Sequence, residues 1–380
     1  MFVRSVDQEL FEDTTRRFIE SQSPLSKLRD LAGSKSGFEA EYWRRGAELG
    51  WTSLVVPEAA GGGSISGSGV LDLVLIAYEF GLHAAPGPLG PVNLVAAALG
   101  RWGQADQHSG ALADLLSGAA TAAWALAEPA PADALGVVEV EAMTDASSIV
   151  VSGTKLPVEA ASGADHILVA ARHEDGLSQI LVPSEAPGVT ITPLQGLDMT
   201  RRYARVDLKD VRLGSGALVG EAGRAKPAVE WLTDLAVVIQ LAEIVGAMQW
   251  AIDTTLEWSF NRYSFGRPLA SYQEIKHRFA DMKMWLEASY AITESAAAAV
   301  DADTVDRSEL VSAGKAYVGR FGPELIQDCV QLHGGIGVTF DHDLHMFLRR
   351  VTANVPTYGS PIEHSVRIAR ILEAREGSND

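Results

Sequence analysis

The sequence predicts an α+β multidomain protein with three parts: an N-terminal α-helical domain (1–118), a middle small antiparallel β-barrel (119–225) and a C-terminal four-helix bundle (226–380). Three observations lead there. Apolar residues recur at helical spacing up to about residue 118. Short β-type runs broken by Gly, Pro, Asp and Ser then replace them. Longer segments with helical period return from about 226.

In the first part, Phe2, Val6, Leu10 and Phe11, then Phe18 and Ile19, lie on one helical face. Phe38, Tyr42, Trp43 and Leu49 form a second. The stretch GGGSISGSG from Gly61 to Gly69 is a flexible loop. Val70–Phe80 and Leu94–Leu99 are strongly apolar helices. Seven runs make up the middle part: Thr121–Leu126, Val137–Val140, Ile149–Ser152, Ile167–Ala171, Ile180–Pro183, Val189–Ile191 and Ala204–Leu208. Frequent turns between them fit a barrel or sandwich. In the last part Leu235–Ala251 is apolar nearly all round, which predicts a buried helix. Ile275–Val300, Glu309–Leu332 and Pro361–Glu376 complete the four.

With 380 residues the chain can bury a large core, and the 47% hydrophobic content excludes a disordered protein. The net charge of −18 argues against nucleic acid or an anionic membrane as partner. Cys329 is the only cysteine, so there is no intrachain disulfide and no Cys-rich metal site. The N-terminus lacks an apolar signal core, and no uninterrupted apolar run reaches the about 18 residues of a membrane span. These features predict a cytoplasmic protein.

Neither a Rossmann fingerprint, a P-loop nor a G-x-S-x-G elbow occurs. His333, His342 and His345 cluster, with the last two placed to share a helical face, but no second pair has ligand spacing, and the prediction is no metal. Two other blocks carry chemistry. In RYSFGRPLASYQ (262–273), Arg262 offers a donor fork suited to a pyrophosphate. Phe265 offers a flat face, Gly266 admits a close backbone, and Pro268 turns the chain. Gln273 brings an amide able to read an adenine or ribose edge. In QLHGGIG (331–337), Gln331 adds a second amide beside the unobstructed backbone of Gly334 and Gly335. Each block alone also reads as a loop between bundle helices or a Gly-rich helix stop. Together they suit a dinucleotide.

Those blocks resemble the flavin-contacting signature of the acyl-CoA dehydrogenase family, and the likeness runs along nearly the whole chain. Residues 46–81 resemble the family's helix, "VPE…GG" turn and helix ending in E-x-G. AEPAPAD (127–133) stands where the family has T-E-P-x-x-G-S-D, and SGTKLPVEAASGADHILVAAR (152–172) where it has N-G-x-K-x-W-I-T-N-G. The resemblance implies FAD as cofactor, an acyl-CoA substrate, an electron-transfer acceptor, and α,β-dehydrogenation of the thioester. A glutamate would take the α-proton while the β-hydrogen leaves as hydride. It further implies that Arg262, Phe265, Gln273, Gln331, Gly334 and Gly335 reach FAD held by a neighbouring subunit.

The departures are specific. At the family's two base positions stand Tyr358 and Ala236. The nearest carboxylates are Asp234, Glu243 and Glu363, the last two being weak substitutes for a base. Ala127 replaces the loop hydroxyl, and Leu156, Pro157 and Val158 replace Trp-Ile-Thr. This pattern resembles the FAD-completing subunit of α2β2 heterotetrameric acyl-CoA dehydrogenases acting on steroid side chains, proteins of lipid metabolism. Two alternatives stay open: a self-sufficient homotetramer with a relocated base, and a flavin-free scaffold or binding homologue.

Overall fold

A computed structural model describes residues 4–129, 138–144 and 147–377. Six helices come first: α1 (Val6–Gln22), α2 (Leu25–Leu31), α3 (Ala40–Glu48), α4 (Gly69–Leu82), α5 (Leu89–Trp102) and α6 (Ala105–Leu116). Eight strands follow: β1 (Ala122–Ala125), β2 (Glu141–Thr144), β3 (Ser148–Glu159), β4 (His166–His173), β5 (Gly176–Pro183), β6 (Val189–Leu194), β7 (Tyr203–Gly214) and β8 (Leu218–Val219). The last part is α7 (Lys226–Asn261), a hairpin of β9 (Tyr263–Ser264) and β10 (Arg267–Pro268), then α8 (Gln273–Asp301), α9 (Arg307–His333), α10 (Leu344–Asn354) and α11 (Pro361–Gly377). The expected sequence of helical, β and helical parts is therefore the observed one. Residue contacts group the chain into two compact units, and the division falls within α4 and α7.

One unit contains Met1–Lys27, Val74–Ala85 and Val237–Asp380. In it α4 crosses α7 at backbone distance. A Cβ added to Gly81 would lie 2.0 Å from the Glu243 carbonyl oxygen, and one added to Gly246 would lie 2.1 Å from that of Tyr78. Only glycine permits such an approach. Nearly every residue of α7 from Leu235 to Met248 is buried, as its apolar circumference predicts. By length and composition α7 could cross a membrane, but 89% of its most apolar window is buried inside the protein, the mark of a core helix. The helix α10 is an addition to the four expected. Phe347 stacks on Trp250 of α7 at 3.8 Å between centroids. Arg350 is fully buried and donates through Nη1 to the carbonyls of Phe80 and Ala85 at the end of α4. A cation there answers the negative end of the helix.

The other unit contains Leu28–Leu73 and Pro86–Ala236. Its sheet runs β6-β7-β3-β2-β4-β5-β8, with β1 added on β4. Most pairs are antiparallel, while β1 and the start of β2 run parallel to β4. Val151, Val158, Ile167, Val169, Ile180, Val182 and Val206 fill its core. The run expected at Val137–Val140 is displaced. Val137 lies outside the described residues, and the strand forms at Glu141–Thr144. The reason is local. The Glu128 carboxylate accepts the backbone N–H groups of Glu139 (2.7 Å) and Val140 (3.1 Å), which are thus taken before a ladder can use them.

Candidate functional site

Arg262 to Gln273 forms the β9–β10 hairpin and one 3-10 turn between α7 and α8. Ser264 pairs with Arg267 and Tyr263 with Pro268. The two tip residues have positive φ, 49° at Phe265 and 81° at Gly266, as a tight hairpin turn demands. Phe265 bears that strain with its ring 97% exposed. Two contacts brace the hairpin from below. The Tyr272 hydroxyl donates to the Ser264 carbonyl at 2.7 Å, and Arg267 lies 3.9 Å over the Tyr272 ring.

The second block closes α9. Gly334 has φ 67° and ψ −143°, a conformation reserved for glycine, and ends the helix. A Cβ at Gly334 or Gly335 would meet nothing within 4 Å, so this backbone faces open space. Gln331, Gly334 and Gly335 are exposed, as are Arg262, Phe265 and Gln273.

A stack of rings brings the two blocks together. Trp258, one turn before Arg262, stacks on His333 with centroids 5.2 Å apart and planes at 21°. The Arg262 guanidinium lies over the Trp258 ring, 5.8 Å from its centroid. His342 meets His333 edge-on at 4.5 Å. Imidazole Nδ1 of His333 bonds to the Cys329 carbonyl at 2.8 Å, while its Nε2 and the Trp258 Nε1 are buried without a partner. Burial lowers the pKa of His333, so the ring is neutral and suited to stacking. The ion pair Arg278–Asp328 (3.0 Å) ties the start of α8, and Gln273 with it, to the end of α9. Among the described residues no hydrogen bond or ion pair occupies the Arg262 guanidinium, and the Gln273 side chain has one hydrogen bond, to His277 at 3.4 Å. Sequence reading weighed His333 only as a member of a histidine cluster and passed over Trp258; the available signal was that His333 stands inside the second motif and Trp258 one turn before the first.

His342 precedes α10, so it and His345 do not share the expected helical face. No group of three or more metal-ligating side chains occurs among the described residues.

Glu243, one of the two weak base candidates, lies in a buried polar network. Glu243 is 1% exposed and accepts from Asn354 Nδ2 at 3.0 Å. Lys315, fully buried, gives its three protons to Gln240 Oε1 (2.8 Å) and the carbonyls of Asn354 (2.8 Å) and Thr357 (2.9 Å). Desolvation pushes its pKa down to about 7. His364, neutral because burial drops its pKa to about 4, bridges Ser312 Oγ and the Tyr358 carbonyl. Between these contacts the backbone at Tyr358 has φ 58°. Glu363 forms a capping box with Ser360 at the start of α11, accepting its N–H at 2.7 Å. Asp234 and Ala236 are buried in α7.

In the other unit, Glu128 pairs with buried Lys155 at 2.5 Å, and Leu156 N–H donates to the Ala127 carbonyl. Desolvation lowers the Lys155 pKa to about 8 against the pull of Glu128. The rest of the expected loop, residues 130–133, lies outside the described residues.

A sequence profile described as "Acyl-CoA dehydrogenase, N-terminal domain" matches residues 5–119, and one described as "Acyl-CoA dehydrogenase, C-terminal domain" matches 238–380. The chain is 28% identical to an acryloyl-CoA reductase (NADH) of Anaerotignum propionicum over 384 residues, covering 97% of this chain and 95% of that protein. It is 26% identical to the probable acyl-CoA dehydrogenase YngJ of Bacillus subtilis over 391 residues, covering 100% and 96%. Among solved structures, a variant of the Tcur3481-Tcur3483 steroid ACAD is 27% identical with a TM-score of 0.88, covering 98% of this chain and 99% of that one. The glutaryl-CoA dehydrogenase of Mycobacterium smegmatis in complex with FADH2 has the same fold, with a TM-score of 0.87 at 23% identity, covering 97% and 95%.

Proposed function

Since the chain belongs to the acyl-CoA dehydrogenase family, oxidoreductases acting on CH–CH bonds, we propose that it is the FAD-completing subunit of a heteromeric enzyme for a bulky acyl-CoA. One observation carries this reading. Arg262, Phe265, Gln273, Gln331, Gly334 and Gly335 are all exposed on the same unit, and the hairpin is braced by Tyr272 while Phe265 at its tip is left 97% exposed. Donors so prepared and so little used within their own chain suit a ligand seated in a neighbouring protomer.

The donor set fits FAD. The Arg262 guanidinium and the bare backbone at Gly334–Gly335 suit a diphosphate. The amides of Gln273 and Gln331 suit adenosine, and Phe265 supplies an apolar face. When bound, the flavin provides the hydride acceptor for α,β-dehydrogenation. The partner in this reading is a homologous subunit, in an α2β2 assembly, that brings the glutamate base. Neither Tyr358 nor Ala236 accepts a proton at neutral pH, since a phenol ordinarily titrates near 10 and alanine not at all. Glu243 and Glu363 are engaged in structural bonds to Asn354 and Ser360. An electron-transfer protein as reoxidant, a steroid-type side chain as acyl group and a cytoplasmic location belong to the same proposal. The relative described as a steroid ACAD supports the acyl class.

The test is to produce the chain alone and together with an acyl-CoA dehydrogenase homologue that carries an intact T-E-P loop and a base glutamate, and to record the flavin spectrum. Flavin only in the co-produced complex is the expected result. Flavin in the lone chain favours a self-sufficient enzyme with a relocated base. No flavin in either favours a scaffold.

A further inference from the structure

Resting on that reading, we infer that Trp258 and His333 are positioning residues, a ring stack that aims Arg262 and couples it to the glycine pair at 334–335. Arginine has many rotamers, and holding one costs entropy unless something confines the side chain. Here the confinement is visible. The guanidinium lies 5.8 Å from the Trp258 ring centroid, within reach of a cation–π attraction. Trp258 in turn is fixed by the parallel face of His333, and His333 by its Nδ1 bond to the Cys329 carbonyl and the edge of His342. The next residue is Gly334, so the stack is seated directly at the start of the second block.

The stack works through its faces. Neither the Trp258 Nε1 nor the His333 Nε2 has a hydrogen-bond partner. The property at issue is the aromatic face that each ring presents to the other. Phenylalanine at 258 retains that property, whereas leucine removes it.

The test uses the flavin-bearing assembly and reads the FAD dissociation constant by fluorescence titration, with a thermal melt on the same samples. Trp258→Leu is expected to weaken FAD binding by roughly two- to fivefold, the range of one exposed cation–π contact. Trp258→Phe is expected to restore most of the affinity. Because Trp258 acts through Arg262, the double variant Trp258→Leu/Arg262→Ala should bind FAD no more weakly than Arg262→Ala alone. Additive losses overturn the inference, and so does an unchanged constant in Trp258→Leu. Should that variant not assemble, His333→Gln, which removes the second ring and leaves Trp258 in place, meets the same expectation and the same refutation. A separate outcome concerns the underlying reading: if Arg262→Ala itself leaves the constant unchanged, the cofactor role of this end of the chain falls, whatever Trp258 does.

Discussion

Lys315 is an ammonium with no carboxylate beside it, held by three oxygens in the middle of a helical bundle. Its removal strands three acceptors, so Lys315→Met should cost roughly 2–4 kcal/mol, measurable by urea denaturation. The pH dependence has a definite sign. The folded-state pKa of about 7 lies below the ordinary value of 10.5, so the unfolded chain binds the proton more tightly. Stability from this group therefore rises as pH climbs from about 7 towards 10.5. Between pH 7 and 9 the wild type should gain roughly 2 kcal/mol relative to Lys315→Met, and parallel curves for the two proteins would refute the assignment. Two further substitutions test function. Arg262→Ala should weaken flavin retention in the complex by roughly 1.5–3 kcal/mol, the worth of a charge-assisted hydrogen bond. Glu243→Gln should leave turnover nearly intact if the base comes from the partner, and abolish it if the chain is self-sufficient.

At the scale of elements, the crossing of α4 and α7 offers a clean contrast among glycines. Gly246→Ala drives a methyl to 2.1 Å from a main-chain oxygen that cannot move aside, and a loss of about 1–3 kcal/mol or more is expected from the melting curve. Gly335→Ala puts the same methyl into empty space and should leave the melt within about 0.5 kcal/mol of the wild type. What the sequence revealed of these elements followed their periodicity. α7, α8, α9 and α11 announced themselves because their apolar positions repeat over many turns. α10 did not, because eleven residues that include two arginines and a histidine show too little of the pattern, and its burial of Arg350 is a tertiary choice. The strand slip at 141–144 has a similar origin: Val138 and Val140 look like strand residues, yet a carboxylate from eleven residues earlier claims the backbone. In the site, the donor residues were legible as chemical types. The stack that joins them was not, since contacts between residues 258 and 333 leave no local trace.

At the scale of the molecule, a chain of net charge −18 carries an exposed arginine at one end of a bundle, and that local exception to the average charge is where the proposed cofactor contacts gather. Light scattering of the purified species gives a further check. The flavin-bearing complex should contain this chain and its homologue in equal numbers, and a flavin-bearing particle made of this chain alone would contradict the heteromeric reading. The hairpin tip has one more implication. Phe265 stands bare on a turn too stiff to fold it away, beside Phe260 and Tyr263, which are more than half exposed as well. A copy left without a mate therefore displays a greasy prong to every other orphan, so surplus synthesis invites clumping. On the heteromeric reading, matched output of the two subunits becomes a physical requirement, and an unbalanced expression host should yield inclusion bodies in proportion to the excess.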